Sequence, residues 1–597
     1  MGFIYFYTSS GGDNGSYVKN DVVVEDVQQL PQAQKLVEQK VDTKKWELYD
    51  GQDPFQDYRS LPKKDWEDHT RVQADAQRSG PGEQSVPISI PNESEDSKNN
   101  RKKIFLENGF DAVYSDMISL DRAVRDLRHH QCKDLKYVNK QPTVSVIVPY
   151  HNEHNTTLLR TVHSILNKSP KDVLHEIILV DDDSDREYLL APLDKYLKDR
   201  GLDKLVKVVR PGKRHGLIRA RQIGAQHATG EILVFLDSHS EAMPNWIPPL
   251  VEPIVLDYKT VVCPFIDVID CNNFDIRPQD QGMRGSFAWN FDYKRLPLRP
   301  KDQKVPTDPF DSPVMAGGYF AISAKWFWEL GGYDEKLDIW GGEQYELSFK
   351  VWQCHGRMVD APCSRVGHIY RCKRHGEATP FGFGDYLSRN YRRVAEVWMD
   401  EYKQHLFKRR PGIANAEPGD MTKMKGIRDK LQCKSFDWFM KNVADDQDFY
   451  YPAVEPEPSA NGTVKNIGNG KCLDAKFHND GEGVVIGDCG FGEQSWKLTN
   501  YLDLRTSEKC LDIPKNQEKA PVVIYHCHMG KGNQMFRYLP ATKQIKHPVT
   551  GLCLDSDASK SEVFASSCDT TVLTQKWQFE NLNTRLLKER YEKDKDL

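Results

Sequence analysis

Between residues 143 and 239 the chain alternates short apolar runs with helical spacing. Thr143-Val144-Ser145-Val146-Ile147-Val148-Pro149 reads as a buried strand, Leu158 to Leu166 as a helix, and Glu176 to Asp181 as a second strand. Tyr188 to Lys198 is a second helix, Val206 to Arg210 a third strand, Arg219 to Ala228 a third helix, and Glu231 to Asp237 a fourth strand. Continuous apolar strands between helices predict a mostly parallel sheet. Ligands of such sheets sit at the carboxyl ends of the strands. Polar residues gather at those ends: His151-Asn152-Glu153, Asp181-Asp182-Asp183, Arg214-His215 and Asp237-Ser238-His239.

Elsewhere the pattern changes. Residues 1–100 are polar with little apolar periodicity and predict a flexible stem, ahead of a catalytic region over 101–445. Residues 446–460 hold Pro452, Pro456 and Pro458 and predict an extended linker. Residues 461–582 repeat. Cys-Leu-Asp recurs at Cys472, Cys510 and Cys553, and a second cysteine (Cys489, Cys527, Cys568) follows 17, 17 and 15 residues later. Each unit ends in Gln-x-aromatic, at Gln494, Gln534 and Gln575. Three such units predict a threefold all-β module. Residues 583–597 read as a charged tail.

With 597 residues the chain exceeds what one core serves, which agrees with the division. The net charge of -5 gives no electrostatic reason to expect nucleic acid. The apolar run Phe3 to Tyr7 is far short of the ~20 residues of a spanning helix, so no membrane contact is expected. Thirteen cysteines without a CxxC pair favour disulfides and an oxidising compartment, and the odd count leaves at least one thiol free or intermolecular.

Asp237 and His239, two positions apart where a buried strand meets a loop, can hold one divalent metal. A carboxylate with imidazole suits a first-row ion. Open coordination positions on that ion would accept a diphosphate. Ala316-Gly317-Gly318 lets backbone approach a ligand closely, and Trp340-Gly341-Gly342-Glu343 reads as a bent loop presenting a ring and an acid.

Asp237-Ser238-His239, Trp340 to Glu343, Cys363-Ser364-Arg365-Val366-Gly367-His368 and Val394 to Glu401, followed by the triple module, resemble the polypeptide N-acetylgalactosaminyltransferases over roughly residues 75–582. The resemblance implies an α/β GT-A (Rossmann-like) catalytic domain followed by an all-β ricin-type β-trefoil lectin domain. It implies retaining transfer of GalNAc from UDP-GalNAc to Ser/Thr hydroxyls of mucin-like peptides and GalNAc-glycopeptides. Asp237, His239 and His368 would hold Mn2+. His151, Asp182, Arg214, Asp237 and Ser238 would line the nucleotide site, and Ala316, Gly317, Gly318 and Glu343 the sugar. Glu343, Trp340, Arg221 and Arg371 carry the catalytic expectation, with Tyr370 and Arg371 meeting acceptor and phosphate. No residue is an evident nucleophile, so same-face substitution is favoured. Residues 371–385 would form a lid, with Lys373-Arg374-His375 biasing acceptor choice. The family sets Asn where this chain has Gln344, and a small or hydroxyl residue where it has Pro149.

By the same analogy only the middle trefoil unit has a full sugar-binding set, Asp512, His528 and Asn533. The first unit has Gly490 and Glu493, and the last Asp569 and Thr574, which leaves them structural. Disulfides would join Cys132 to Cys363, Cys354 to Cys433, Cys472 to Cys489, Cys510 to Cys527 and Cys553 to Cys568. Cys263, Cys271 and Cys372 would be left over. Relatives are type II Golgi membrane proteins. The chain shows no anchor, so a truncated or secreted form in the Golgi lumen is expected. The alternatives are a carbohydrate-binding protein on an inactive scaffold and a transferase for another nucleotide sugar.

Overall fold

The computed structural model describes residues 52–279, 282–372 and 384–593. The chain divides into two units: residues 1–286 with 296–444, and residues 287–295 with 445–597.

The first unit is built on β1 (Val144–Tyr150), α1 (Asn155–Lys168), β2 (Leu174–Asp181), α2 (Ala191–Asp199), β3 (Val206–Val209), α3 (Leu217–His227), β4 (Ile232–Phe235), β5 (Ser240–Ala242), α4 (Ile247–Leu256), β6 (Thr260–Ile269), β7 (Phe310–Asp311), β8 (Phe320–Ser323), α5 (Glu343–Gln353), β9 (Arg357–Ile369) and α6 (Tyr386–Trp398). Among the described residues these strands and Ile276–Arg277 form one ten-stranded sheet, ordered β7-β9-β6-β8-β4-β1-β2-β3, with β5 paired to β9. The half from β4 to β3 is parallel, as the apolar runs predict. All seven residues of β1 are buried, the mark of a strand covered on both faces. The other half is mixed. β8 runs antiparallel to β4 and β6, while β9 runs parallel to β6. On α1, Leu158, Leu159, Val162 and Ile165 are fully or almost fully buried at helical spacing against this sheet.

The stem expectation fails over 52–100. This stretch holds helices His69–Ala76 and Glu95–Asn108, each N-capped by a side chain, Asp68 and Ser94. Phe55 and Trp66 are buried in the sheet's core. A few well-spaced apolar residues anchor a polar segment whose pattern shows no period. Residues 1–51 lie outside the described ones.

In the second unit the three repeats form a β-trefoil. Trp496, Phe536 and Trp577 of the Gln-x-aromatic motifs have no exposed surface and meet in one core. In each repeat the motif's glutamine donates to the aspartate of Cys-Leu-Asp: Gln494 to Asp474 at 3.2 Å, Gln534 to Asp512 at 3.3 Å and Gln575 to Asp555 at 3.3 Å. The predicted linker carries a short helix, Gln447–Tyr450. The charged tail carries the helix Thr584–Lys593, whose Leu587 enters the trefoil core. The segment Phe287–Arg295 also belongs to this unit. Trp289 Nε1 donates to the Tyr451 carbonyl at 2.9 Å, and Tyr451 Oη donates to that of Arg295 at 2.6 Å.

Six disulfides are present among the described residues. In the first unit Cys132 is bonded to Cys363, Cys354 to Cys433 and Cys271 to Cys372. In the trefoil each repeat closes on itself, Cys472 on Cys489, Cys510 on Cys527 and Cys553 on Cys568. The bond between Cys271 and Cys372 corrects the expectation that both are left over. Asp111 N donates to the Cys271 carbonyl and Cys372 N to that of Gly109, so the 109–111 segment brings the two cysteines together. Nothing in the sequence spacing marks that pair, since 101 residues separate its members. Cys263 stays a buried thiol.

Candidate active site

The Asp237-Ser238-His239 run leaves the carboxyl end of β4 and turns into β5. Register supplies the third group: β5 runs antiparallel to β9 with Ser240 opposite His368. One oxygen or nitrogen from each of Asp237, His239 and His368 lies within 4.8 Å of the others. Asp237 Oδ2 stands 3.7 Å from His368 Nε2, and the two imidazole centroids are 4.9 Å apart. Both ring nitrogens of His368 are out of solvent and hydrogen-bond to nothing among the described residues. Buried polar atoms without partners are rare and call for a ligand. Burial, then the neighbouring His239, pushes the His368 imidazole down to about 3. A neutral imidazole is the form that binds a cation, and one carboxylate with two imidazoles suits a first-row divalent ion. The residues fit a metal.

Asp237 is shared. Its Oδ1 accepts from Arg221 Nη2 at 3.0 Å, and Arg221 Nη1 lies 3.6 Å from Glu343 Oε1. Arg221 is 1% exposed on α3, one cation between two carboxylates. Burial would raise Asp237, but Arg221 and then His368 hold it below the ordinary carboxylate value. Burial wins at Glu343, which is raised against the pull of Arg221. The glycines of 316–318 serve close approach. A Cβ on Gly318 would stand 3.1 Å from Asp237 Oδ2, and one on Gly317 would stand 2.8 Å from Gln344 Cβ.

A second group forms at the ends of β1 and β2. Asp182 accepts from the amides of His215 at 2.6 Å and Gly216 at 2.8 Å, and its Oδ2 pairs with Arg214 Nε at 3.1 Å. His151 Nδ1 donates to the Asp182 carbonyl at 2.8 Å. His151, Asp182 and Arg214 therefore form one constellation. Gly216 packs flat on Ile339, where a Cβ would come within 2.3 Å of the Ile339 Cα. This contact fastens the loop to the residue before Trp340. The turn at 340–342 is held from the other side by Asn390 on α6.

Tyr370 lies beside the metal group, its ring centroid 4.4 Å from that of His368. Arg371 pairs at 2.6 Å with a residue absent from the sequence-based site, Glu153. Glu153 is 2% exposed. Its position at the end of the first strand is its only signal in the sequence. Of the lid over 371–385, residues 373–383, including Lys373-Arg374-His375, lie outside the described ones.

In the trefoil's middle repeat, Asn533 Nδ2 donates to both oxygens of Asp512, at 2.7 and 2.8 Å, and the His528 amide donates to Gln534 Oε1 at 3.0 Å. Asp512, His528 and Asn533 are thus assembled. In the first repeat the amides of Lys476 at 2.7 Å and Glu493 at 2.9 Å close on Asp474. A Cβ on Gly492 there would fall 2.0 Å from Asp474 Oδ2.

Family models match along the chain: glycosyl transferase family 2 over residues 145–331, the N-terminal domain of galactosyltransferase over 306–375, and the ricin-type beta-trefoil lectin domain over 460–577. The chain is 51% identical over 538 residues to N-acetylgalactosaminyltransferase 6 of Drosophila melanogaster, covering 88% of this chain and 80% of that protein. It is 46% identical over 540 residues to human polypeptide N-acetylgalactosaminyltransferase 10, covering 88% and 87%. A crystal structure of GalNAc-T7 with UDP, GalNAc and Mn2+ aligns with a TM-score of 0.61 at 39% identity, covering 84% of this chain and 93% of that one. A GT-A-like sheet, a ricin-type trefoil and relatives of this identity over most of their length make the chain a member of the polypeptide N-acetylgalactosaminyltransferase family.

Proposed function

We propose that the chain initiates mucin-type O-glycosylation, moving GalNAc from UDP-GalNAc to Ser/Thr hydroxyls of peptides and glycopeptides with retention, in the Golgi lumen. The observation that carries this reading is the Asp237, His239 and His368 group, with the ring nitrogens of His368 buried and without a hydrogen-bond partner among the described residues. These residues would hold Mn2+, which supplies Lewis-acid stabilisation of charge on a departing diphosphate.

The chain's own groups then have distinct tasks. His151, Asp182 and Arg214 form one polar constellation for the nucleobase end. Arg221 holds Asp237 and Glu343 in place as a shared counter-ion, and Glu343 with the Ala316-Gly317-Gly318 backbone faces the sugar. Arg371 carries positive charge toward the phosphates, and Trp340 and Tyr370 border the acceptor. Among the described residues no free carboxylate stands out as a nucleophile, and Glu343 is already engaged by Arg221. Same-face attack therefore fits, with protein groups positioning the reactants and balancing charge. The middle trefoil repeat, through Asp512, His528 and Asn533, would bind GalNAc already on an acceptor. Among the described residues no helix is long and apolar enough to cross a membrane.

The test is turnover of UDP-GalNAc on matched naked and GalNAc-bearing mucin-like peptides, with and without Mn2+, with UDP-GlcNAc as donor competitor. Mn2+-dependent transfer that UDP-GlcNAc does not compete away is expected. No transfer to any member of a broad peptide panel would sink the catalytic reading in favour of a carbohydrate-binding protein.

A further inference from the structure

Glu153 lies in the loop that leaves the carboxyl end of β1 and has almost no exposed surface. Its Oε2 accepts from three groups: Ser238 Oγ at 2.9 Å, His239 Nδ1 at 2.9 Å and Arg371 Nη2 at 2.6 Å. Its Oε1 accepts from the His154 amide at 3.0 Å. Three of these four donors belong to the metal-site run or to Arg371. None of these three comes from a neighbour in sequence: the His239 and Arg371 partners are 86 and 218 residues away. A buried carboxylate that only held the loop together would pair with the loop.

We infer that Glu153 is a positioning residue: through the His239 Nδ1 bond it fixes the tautomer and orientation of that imidazole for metal binding, while the same oxygen restrains Arg371 beside the site. The inference rests on the metal-site reading above. An ionised carboxylate only accepts, so His239 Nδ1 must donate, and Nε2 keeps the lone pair a metal needs. Glu153 Oε2 also accepts from Ser238 Oγ and the Arg371 guanidinium, and Oε1 from the His154 amide, so every contact uses the carboxyl as an acceptor. Metal-bound histidines commonly donate their second nitrogen to a carboxylate. Arg371 is anchored independently, because Cys372 is bonded to Cys271 and Gly109. Glu153 therefore joins two separately built elements.

The test titrates the metal-free full-length protein and Glu153→Gln with Mn2+ alone, following the free aqua-ion by electron paramagnetic resonance. The glutamine keeps the shape but can offer His239 either a donor or an acceptor. Mn2+ affinity is expected to fall ten- to a hundredfold, the usual loss for an outer-sphere partner. A folded Glu153→Gln protein that binds Mn2+ within about twofold of wild type overturns the inference. Failure of the wild-type protein to bind Mn2+ would instead overturn the metal-site reading. Histidine-selective 15N NMR of the wild-type protein gives an arm that needs no variant. A protonated Nδ1 on His239 is expected, and a protonated Nε2 with bare Nδ1 overturns the inference.

Discussion

Asn390 Nδ2 donates to the carbonyl oxygen of Gly341 at 2.9 Å, which clamps the turn carrying Trp340 and Glu343 to helix α6. The same amide reaches the carbonyls of Asp338 at 2.8 Å and Trp340 at 3.3 Å, and its oxygen accepts from the Asp338 amide at 3.0 Å. Asn390 is wholly buried. Asn390→Ala leaves these backbone groups unpaired, at a cost of about 1–3 kcal/mol. Thermal unfolding should show the loss, and kcat should fall through a displaced Glu343. A variant with unchanged stability and turnover would contradict the clamp.

Gly318→Ala tests how tightly the site is built. The new Cβ would press on Asp237 Oδ2 at 3.1 Å. The carboxylate must shift by a few tenths of an ångström, and turnover should fall roughly tenfold, in line with the steep cost of misplaced groups. Melting temperature should hardly change. Steady-state kinetics at saturating Mn2+ would read the effect.

Asp512→Ala should reduce turnover of GalNAc-glycopeptides and leave naked peptides unaffected, because Asp512 anchors Asn533 in the middle trefoil repeat. Asp474→Ala should change neither rate, since that carboxylate is already closed in by backbone amides. Loss of Asp512 without effect on glycopeptides would end the idea that this repeat guides the acceptor.

Acid should affect the middle repeat late. Burial first, and the charge of Lys294 second, push the His528 imidazole down to about 4. The unfolded imidazole titrates near its ordinary 6.5. The contribution of His528 to stability is therefore complete above pH 6.5 and is lost as pH falls from there through about 4. Glycopeptide binding, followed by calorimetry, should stay level from neutral pH to about 5 and decline near 4. A midpoint near the ordinary histidine value would refute the buried setting.

Thiol titration should find no reactive cysteine in the native protein and one, Cys263, after denaturation without reductant. Replacing Cys271 and Cys372 by alanine together should cost about 2–4 kcal/mol and slow turnover by loosening Arg371. Three titratable thiols in the denatured protein would show that this pair stays reduced.

Much of the catalytic sheet is legible in the chain, because parallel strands covered on both faces must be almost continuously apolar, as Val144–Tyr150 is. Asp237 and His239 are legible only as a weak pair at the end of such a strand; His368 joins them through the family resemblance, and the β5–β9 register brings it there. Glu153 is not legible, since its role arises from partners 86 and 218 residues away that only folding assembles. Phe55 and Trp66 give no warning because isolated apolar residues in a polar stretch carry no period. Leu587 is hidden by the charges around it in sequence, although it reaches the trefoil core with Tyr591 packed beside it.

The Trp289 bond to Tyr451 sets a delay in synthesis. Its two ends are 162 residues apart in sequence. At ~5–20 residues per second, a ribosome needs roughly ten to thirty seconds to deliver the second end after the first. For that time Trp289 and Phe291, both buried in the finished protein, stand without the segment that joins them in the second unit. A chain cut before Tyr451 would keep them so permanently. Binding by chaperones and aggregation of shortened forms should therefore centre on residues 287–295.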